Sequence, residues 1–199
     1  MSSWTQILER AEPKEHVVHL YGGDDELLAD HVSRYLGEGL RRGDGLLVIA
    51  TPAHTASITT RLIRDGGDVA AATRAGQLVV LDAAETLASF MIDGKPSRPH
   101  FEQVVGKAID ALRERLGHER VRAFGEMVGL LWCAGQVPAA LALERHWNRL
   151  LESRAISLFC AYPIDAFHDD VRESGLGALV GTHTHVLAGP RTLLSGPPR

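Results

Sequence analysis

The sequence contains few of the features that mark nucleic-acid-binding, membrane or secreted proteins. Its net charge is −4 and no run of lysines and arginines appears, so a nucleic-acid surface is not expected. No window approaches the roughly 20 apolar residues of a membrane span, and the N-terminus lacks the cationic start and apolar run of a signal peptide. The two cysteines, Cys133 and Cys160, lie in apolar runs and are expected to be buried free thiols. These absences favour a cytoplasmic protein without a nucleic-acid or membrane partner.

A further absence concerns phosphate binding. A P-loop holds phosphates with backbone N–H groups, a lysine and the N-terminus of a helix. The stretch "HLYGGDDELLAD" has the required order of strand, glycine turn and helix, but it contains no lysine. Residues 24–26 are all acidic, so they complement the helix dipole and would repel a triphosphate. We therefore expect no ATP hydrolysis at this turn, and we interpret the acids chiefly as helix caps.

Apolar strands and amphipathic helices alternate through the rest of the chain. The apolar fraction is 45% and the charged fraction 23%, as in ordinary globular proteins. Five strands, "HVVHLY", "LLVIA", "QLVVLDA", "RVRAFGE" and "ISLFCAY", alternate with helices, and "THTHVLA" reads as a sixth, edge strand. This order predicts an α/β fold with a mostly parallel central sheet in one three-layer domain. We expect a helical extension over 1–14, the domain over 15–188 and a loose tail over 189–199.

In open α/β sheets, ligands bind beyond the carboxyl ends of the strands. The residues expected there combine aromatic rings, small residues and carboxylates, with little positive charge. A surface of this composition at the carboxyl ends of the strands suits a neutral or cationic organic ligand, or a protein segment, better than a nucleotide. The predicted ligand-binding residues are His19, Tyr21, Gly22, Gly23, Thr51, Asp82, Glu126, Trp132 and Tyr162.

Several of these residues have structural alternatives. His19 and Tyr21 share one face of a strand, where they either line a pocket or pack internally. Glu126 directly follows a strand, and it either accepts backbone N–H bonds at the next helix or serves as a pocket acceptor. Glu144 and Asn148 lie one helical turn apart beside an apolar stripe, and a structural hydrogen-bond network is favoured over ligand contact.

Evidence for a metal is weak in the sequence. His183 and His185 would lie on one side of a strand, as half of a zinc site, but no C-x-x-C or H-E-x-x-H motif accompanies them. His16 and His19 would point to opposite faces of their strand. Cys160 would be a nucleophile only if a histidine approached it, and an inert buried thiol is favoured. We predict no metal, no cofactor and no catalytic residue.

Four blocks of the sequence resemble one known family. They are "HLYGGDDELL…YLGEGLRRGDGLLVIATP", "GQLVVLDAAETLASFMIDGKPSRPHFEQVVG", "VRAFGEMVGLLWCAGQVPAALALERHWNRL" and "ISLFCAYPIDAF". These blocks are similar to the MEDS family of sensory domains, from about His16 to Val186. The resemblance implies a RecA/KaiC-like core with a decayed P-loop that senses small organic compounds beside a histidine kinase or a DNA-binding segment. Only about a dozen residues follow the core here, so we expect the output to pass through a separate protein.

Three functions follow from these observations. The leading hypothesis is a non-catalytic signal-input domain that binds a small organic ligand, or a signalling partner such as a histidine kinase or regulator protein. The second is an adaptor that forms homo-oligomers, or a complex with a kinase, without binding a metabolite. The third is a residual enzyme, either a nucleotide hydrolase that uses Glu126 or a thiol hydrolase that uses Cys160, and we expect neither activity.

Overall fold

Strands alternate with helices along the chain of the computed structural model, which describes residues 4–117, 120–164, 176–188 and 192–194. The first half contains α1 (Trp4–Glu9), β1 (His16–Leu20), α2 (Asp25–Arg42), β2 (Gly45–Ala50), α3 (Pro52–Arg64), α4 (Val69–Ala75), β3 (Leu78–Asp82), α5 (Ala83–Phe90), β4 (Met91–Ile92) and β5 (Lys95–Pro96). The second half contains α6 (Arg98–Phe101), a π-helical turn (Glu102–Gly106), α7 (Lys107–Leu116), β6 (Val121–Gly125), α8 (Met127–Cys133), α9 (Val137–Ser153), β7 (Ile156–Tyr162), α10 (Leu176–Val180), β8 (His185–Ala188) and β9 (Thr192–Leu194).

The main sheet has seven strands in the order β3-β2-β6-β7-β1-β8-β9. The first six are parallel, and β9 pairs antiparallel with β8. The predicted α/β class with a mostly parallel sheet is therefore confirmed. The predicted edge strand is wrong in position, because β8 has a neighbour on each side and β9 forms the edge. That strand, Thr192–Leu194, lies within the tail that was expected to be loose.

Helices cover both faces of the sheet. Alternate residues of each strand point to opposite faces, and they divide into two apolar clusters. One face packs against α1 to α4, and we call it the α2 face. The other packs against α5 to α10, and we call it the α9 face. The result is a three-layer domain whose central strands β1, β2, β6 and β7 are buried along their whole length.

Helix ends follow the local sequence. The Thr51 hydroxyl accepts a hydrogen bond from the backbone N–H of His54, and Pro52 occupies the first turn of α3. Asp24 caps α2 by accepting from the N–H of Leu27 at 3.0 Å. Gly43, at φ +79°, ends α2 in the left-handed conformation that glycine adopts at low cost. The cap expected among residues 24–26 is confirmed at Asp24, and the sequence of Thr51 followed by Pro52 is typical of a helix start.

Two short elements were missed and one predicted helix is described only in part. Helix α4 begins at the cap Asp68 and ends at Gly76, but its seven residues are too few to show clear periodicity. The stretch "IDGKPSRP", whose glycine and prolines predict a break between helices, contains the two-stranded hairpin β4–β5. The stretch "DDVRESGLGALVG", which the sequence predicts as the last helix, lies mostly outside the described residues, and its end corresponds to α10. Among the described helices, none has both the length and the apolar character needed to cross a bilayer.

Candidate functional site

Four of the sheet's carboxyl-terminal loops meet at one edge of the domain. The N–H of Tyr21 donates to the carbonyl of Tyr162 at 3.1 Å, which joins the ends of β1 and β7. The N–H of Glu126 donates to the carbonyl of Ile49 at 3.1 Å, which joins the ends of β6 and β2. Gly22 and Gly23, at φ +62° and +78°, make the tight turn that the sequence predicts after β1. The structure thus brings the predicted loops together.

A histidine between two carboxylates links three of these loops. Glu126 accepts hydrogen bonds from the backbone N–H of Thr51 and, at 2.6 Å, from Nδ1 of His54. The other ring nitrogen of His54, Nε2, lies 3.2 Å from the Asp25 carboxylate. Because carboxylates only accept, both ring nitrogens carry hydrogen and the imidazole is cationic. The hydrogen bond to Glu126 is the main reason that the pKa of His54 rises to about 9.

We call this arrangement the Asp25–His54–Glu126 chain. Two roles were considered for Glu126, and the structure shows that it accepts a backbone N–H, although this N–H belongs to the start of α3 and not to the helix that follows Glu126. His54 was not among the predicted site residues. Its position four residues after β2, close to a carboxylate that follows β6, becomes visible only when β2 and β6 are known to be neighbours.

The acids after the glycine turn are used internally. Asp24 caps α2, Asp25 pairs with His54, and Glu26 pairs with Arg61 of α3. The predicted capping role therefore holds for Asp24, whereas Asp25 and Glu26 bind cations that the sequence alone did not place there. The residues that follow the glycine turn are therefore carboxylates with partners inside the protein, and no lysine lies among them.

Two of the predicted residues, His19 and Asp82, make contacts within the protein. His19 and Tyr21 do share a face, with ring centroids 6.0 Å apart. His19 is fully buried against His31 of α2, with ring centroids 4.5 Å apart, and burial lowers its pKa to about 3. Asp82 caps α5 by accepting from the N–H of Glu85 at 2.8 Å. His19 and Asp82 therefore have structural contacts, while Tyr21 remains at the edge with its ring edge-on to His54.

Two aromatic residues predicted for the ligand site, Trp132 and Tyr162, contact each other. Trp132 is half-buried and edge-on to Tyr162, with centroids 5.5 Å apart. Tyr162 is fully buried, and its hydroxyl donates to Glu144 at 2.6 Å. Cys133 is exposed, so the prediction that it is a buried thiol is wrong. It lies at the end of α8, where the apolar run "LLWCAG" turns to solvent.

A second group of polar side chains lies inside the α9 face. It contains His16 of β1, Glu144 of α9, Cys160 of β7 and His183, which precedes β8; we call these the four-residue cluster. All four are buried, with exposed fractions of 2%, 0%, 0% and 6%. Sequence reasoning had treated each residue separately. Only the register between β1 and β7 shows that His16 and Cys160 lie on the same face of the sheet, opposite to His19.

Burial and mutual contact shift the pKa values in this cluster. Burial lowers the pKa of His16 to about 3 and, together with the Glu144 carboxylate, raises the pKa of Cys160 well above its usual value. For Glu144, burial pushes the pKa upward, but the His183 and His16 rings and the Tyr162 hydroxyl outweigh burial and lower it to about 2. The carboxylate is therefore ionised inside the core.

The structure changes the interpretation of three residues considered in the sequence. A histidine does approach Cys160, since Nε2 of His16 lies 3.3 Å from the sulfur. The hydrogen-bond network expected around Glu144 and Asn148 is confirmed. His183 and His185 do not lie on one side of a strand, because β8 begins at His185, whose Nε2 is 3.4 Å from Glu15.

A polar groove of about 580 Å³ lies elsewhere, between α2 and the turn that joins α3 to α4. Its charged lining has both signs and includes Asp30, Arg34, Arg41, Arg64, Asp65 and Asp68. None of the nine predicted ligand-binding residues, all of which the structure describes, contributes to it. We interpret it as a solvated surface.

Comparison with known proteins supports the resemblance seen in the sequence. The model of the MEthanogen/methylotroph, DcmR Sensory domain (MEDS) family matches residues 15–184 of the 199. No curated protein matches the chain significantly. Because the family model covers most of the chain, including both groups of polar residues, this protein belongs to the MEDS family of sensory domains.

Proposed function

We propose that this chain is a non-catalytic signal-input domain that binds a small neutral or cationic organic ligand at the carboxyl edge of its sheet. The sensory role follows from membership of the MEDS family. The place and the kind of ligand are inferred from the chemistry of the edge. A separate output protein, such as a histidine kinase or a regulator, would receive the signal in the cytoplasm.

The observation that carries this proposal is the Asp25–His54–Glu126 chain. The imidazolium of His54 is held between two carboxylates, so its positive charge is already balanced. Arg61, the other cation beside the turn, is paired with Glu26. A phosphate group would have to displace these carboxylates against their charge, whereas an amine or a neutral polar group would not. Tyr21 and Trp132 supply aromatic surface nearby.

The same chain offers a means of transmission. Asp25 belongs to the start of α2, His54 to the start of α3, and Glu126 to the loop between β6 and α8. A ligand that bound Glu126 or Asp25 in place of His54 would release one helix start from the others. Such an arrangement has two discrete states, and a ligand shifts their populations by its difference in affinity for the two.

We also propose that the core is a RecA/KaiC-like domain whose P-loop has decayed. The glycine turn with positive φ at Gly22 and Gly23, directly before a helix, supports this origin. The acids that occupy the expected lysine position support the loss of nucleotide binding. Isothermal calorimetry should show no tight binding of magnesium–ATP, and tight binding there would contradict the proposal.

The ligand is best sought by thermal denaturation of the full chain against primary amines, quaternary amines, short alcohols and small amides. Native mass spectrometry of the freshly purified protein would detect a ligand that copurifies. A compound at one hundred times its dissociation constant should add about 2.7 kcal/mol to the free energy of unfolding. Because such a ligand takes the place of His54 at these carboxylates, a true edge ligand should bind His54→Gln at least tenfold more tightly than the wild type.

His100→Gln is the matched control, because His100 is exposed on α6. This control should bind the compound as the wild type does. If no compound shifts the transition and none copurifies, the small-molecule form of the proposal fails. A concentration-dependent oligomer, or a stable complex with a kinase, would then support the adaptor function instead.

A further inference from the structure

The four-residue cluster collects three kinds of metal-binding atom in one buried place. His16, Glu144, Cys160 and His183 come from four separate segments of the chain. The two imidazole nitrogens, the carboxylate oxygens and the sulfur provide ligand atoms that all lie within 4.8 Å of one another. Two histidines, a cysteine and a glutamate are the residue types that bind Zn²⁺ and related ions.

The spacing of these atoms matches a tetrahedral site. Nε2 of His16 lies 3.3 Å from the Cys160 sulfur and 3.4 Å from Oε2 of Glu144. Nε2 of His183 lies 3.4 Å from Oε1 of Glu144, and the sulfur lies 3.9 Å from Oε2. Metal–ligand bonds of about 2.0–2.3 Å in a tetrahedron place neighbouring ligand atoms about 3.3–3.8 Å apart. The cluster therefore needs only small movements to surround one ion.

The outer hydrogen bonds turn both imidazoles toward the centre. Nδ1 of His16 lies 2.8 Å from Oδ1 of Asn148, whose amide N–H donates to the carbonyl of Thr182 at 3.1 Å. This bond fixes Oδ1 as an acceptor, so Nδ1 of His16 carries the hydrogen. Nδ1 of His183 lies 2.8 Å from the carbonyl of Leu179, which also accepts only. Metal-binding histidines are oriented in this way, with Nε2 left as the ligand.

The hydrogens that point into the cluster do not satisfy its acceptors. The Tyr162 hydroxyl donates to Oε1 of Glu144, and the thiol of Cys160 supplies one more hydrogen. Nε2 of His16 and Oε2 of Glu144 compete for that hydrogen. Nε2 of His183 has no hydrogen-bond partner among the described residues and faces the Glu144 carboxylate. A cation at the centre would satisfy all of these lone pairs.

Charge balance also favours a divalent ion. On binding, the thiol would lose its proton to solvent and become the fourth ligand, as a thiolate. One dication, one thiolate and one carboxylate sum to zero, which suits a site inside an apolar core. Mg²⁺ and Ca²⁺ prefer six or more oxygen ligands and do not fit this set.

We propose that His16, Glu144, Cys160 and His183 form a closed, four-coordinate site for a divalent transition metal, and that Zn²⁺ fits this ligand set best. This proposal departs from the sequence-based prediction of no metal. The site would join β1 to the segment before β8, and both of these to α9 and β7. A bound ion would thus tie the beginning of the domain to its end.

The first experiment measures metal content and coordination in the full chain. Mass spectrometry of the purified protein should find about one equivalent of Zn²⁺ per chain after growth with zinc. After the metal is removed with a chelator, Co²⁺ should restore one equivalent and give the d–d absorption of a tetrahedral site with a thiolate-to-cobalt charge-transfer band. Less than a fifth of an equivalent of either ion, with no cobalt spectrum, would overturn the proposal.

Variants then assign the ligands. Cys160→Ser should lose the charge-transfer band and bind Zn²⁺ at least tenfold more weakly, whereas Cys133→Ser should keep both properties. Asn148→Ala, which leaves the four ligands in place, should weaken Zn²⁺ binding by 10–100-fold. His185→Gln, a histidine outside the cluster, should bind as the wild type does. A charge-transfer band that persists in Cys160→Ser would contradict the assignment.

If Cys160→Ser does not fold, X-ray absorption of the zinc-loaded wild type gives the same answer. The spectrum should contain one sulfur and three nitrogen or oxygen neighbours. A zinc ion surrounded only by nitrogen and oxygen would place it outside this cluster and overturn the proposal.

Discussion

The two faces of the sheet each bury a polar centre, and the two centres differ in completeness. On the α2 face, the guanidinium of Arg122 donates to Asp44 at 2.9 Å and to the carbonyls of Leu8, Tyr35 and Glu9 at 3.0–3.1 Å. Its cation also lies 5.3 Å from the centroid of the Tyr35 ring. Every nitrogen of this buried cation has a partner, so the centre is complete in the protein alone.

In the four-residue cluster on the α9 face, by contrast, one buried polar atom has no hydrogen-bond partner among the described residues. Nε2 of His183 has no hydrogen-bond partner among the described residues, and it faces an ionised carboxylate. Buried polar groups in native proteins are normally satisfied. The complete centre attaches α1 to β6, while the incomplete centre is the place where we propose a metal ion.

The largest predicted effect tests the complete centre. Arg122→Met would leave the buried Asp44 carboxylate with only the more exposed Arg120, at 3.3 Å, as its ion partner, and three carbonyls would lose the hydrogen bond from Arg122. We expect the free energy of unfolding to fall by about 3–5 kcal/mol. Urea denaturation followed by circular dichroism would measure this loss. The loss should be the same in the presence of a chelator as in the presence of Zn²⁺, because the Arg122 centre involves no metal.

Arg145→Met is the control, since Arg145 is exposed on α9, and its denaturation midpoint should stay near that of the wild type. A loss below about 1 kcal/mol in Arg122→Met would show that the centre is not the structural anchor inferred here.

The second prediction tests the incomplete centre. Glu144→Gln keeps an oxygen to accept from Tyr162 but removes the carboxylate charge, so with chelator the free energy of unfolding should stay within about 1 kcal/mol of the wild type. Zn²⁺ at one hundred times its dissociation constant should add about 2.7 kcal/mol to the wild type and less than half of that to the variant. If Zn²⁺ added the same free energy of unfolding to the wild type and to Glu144→Gln, the proposed difference between the two centres would be refuted. Glu152→Gln is the control, because Glu152 is exposed on the same helix.

The third prediction asks whether an unpartnered histidine alone signals a ligand. His19 and His31 also lack hydrogen-bond partners among the described residues, and their rings lie tilted to each other with centroids 4.5 Å apart. Burial lowers their pKa values to about 3 and about 4. The unfolded chain therefore takes up protons below about pH 6.5 that the folded chain does not. For each of the two histidines, the free energy of unfolding decreases by about 1.4 kcal/mol for every unit by which the pH drops below that value.

His19→Phe should remove about 2 kcal/mol of the loss between pH 6.5 and 5 in urea denaturation. His100→Gln, at an exposed position, should not. We expect Zn²⁺ to leave this acid slope unchanged, because two neighbouring imidazoles without a carboxylate or thiolate do not complete a site. An unaltered slope in His19→Phe would mean that His19 does not stay neutral in the folded state.

The smallest predicted effect concerns a histidine with partners on both sides. The pKa of His54 is raised to about 9 by its hydrogen bond to Glu126. Its stabilisation should be fully present below about pH 6.5 and should be lost as pH rises through 9. Because the site is partly exposed, we expect about 1–2 kcal/mol and not the full value of the shift.

His54→Gln should therefore flatten the fall in the free energy of unfolding between pH 6.5 and 9.5, measured by urea denaturation at each pH. An identical fall in the variant and the wild type would exclude His54 as its source.

Local signals predicted much of the fold and part of the site. The strand at Leu46–Ala50 is a continuous apolar run, Thr51 and Pro52 open α3, and Gly22 and Gly23 make the turn after β1. The helix α4 was missed because a seven-residue helix shows little periodicity. Cys133 was misplaced because an apolar run says nothing about which of its residues reaches solvent.

The sequence by itself determined the α/β class, the helix caps and the acids that follow the first glycine turn, because each depends on neighbours within a few residues. Only the tertiary structure decided that His54 lies between Asp25 and Glu126, and that His16 meets His183. Those partners are separated by up to 167 positions, and contacts at that distance depend on strand order and register, which short-range patterns do not encode.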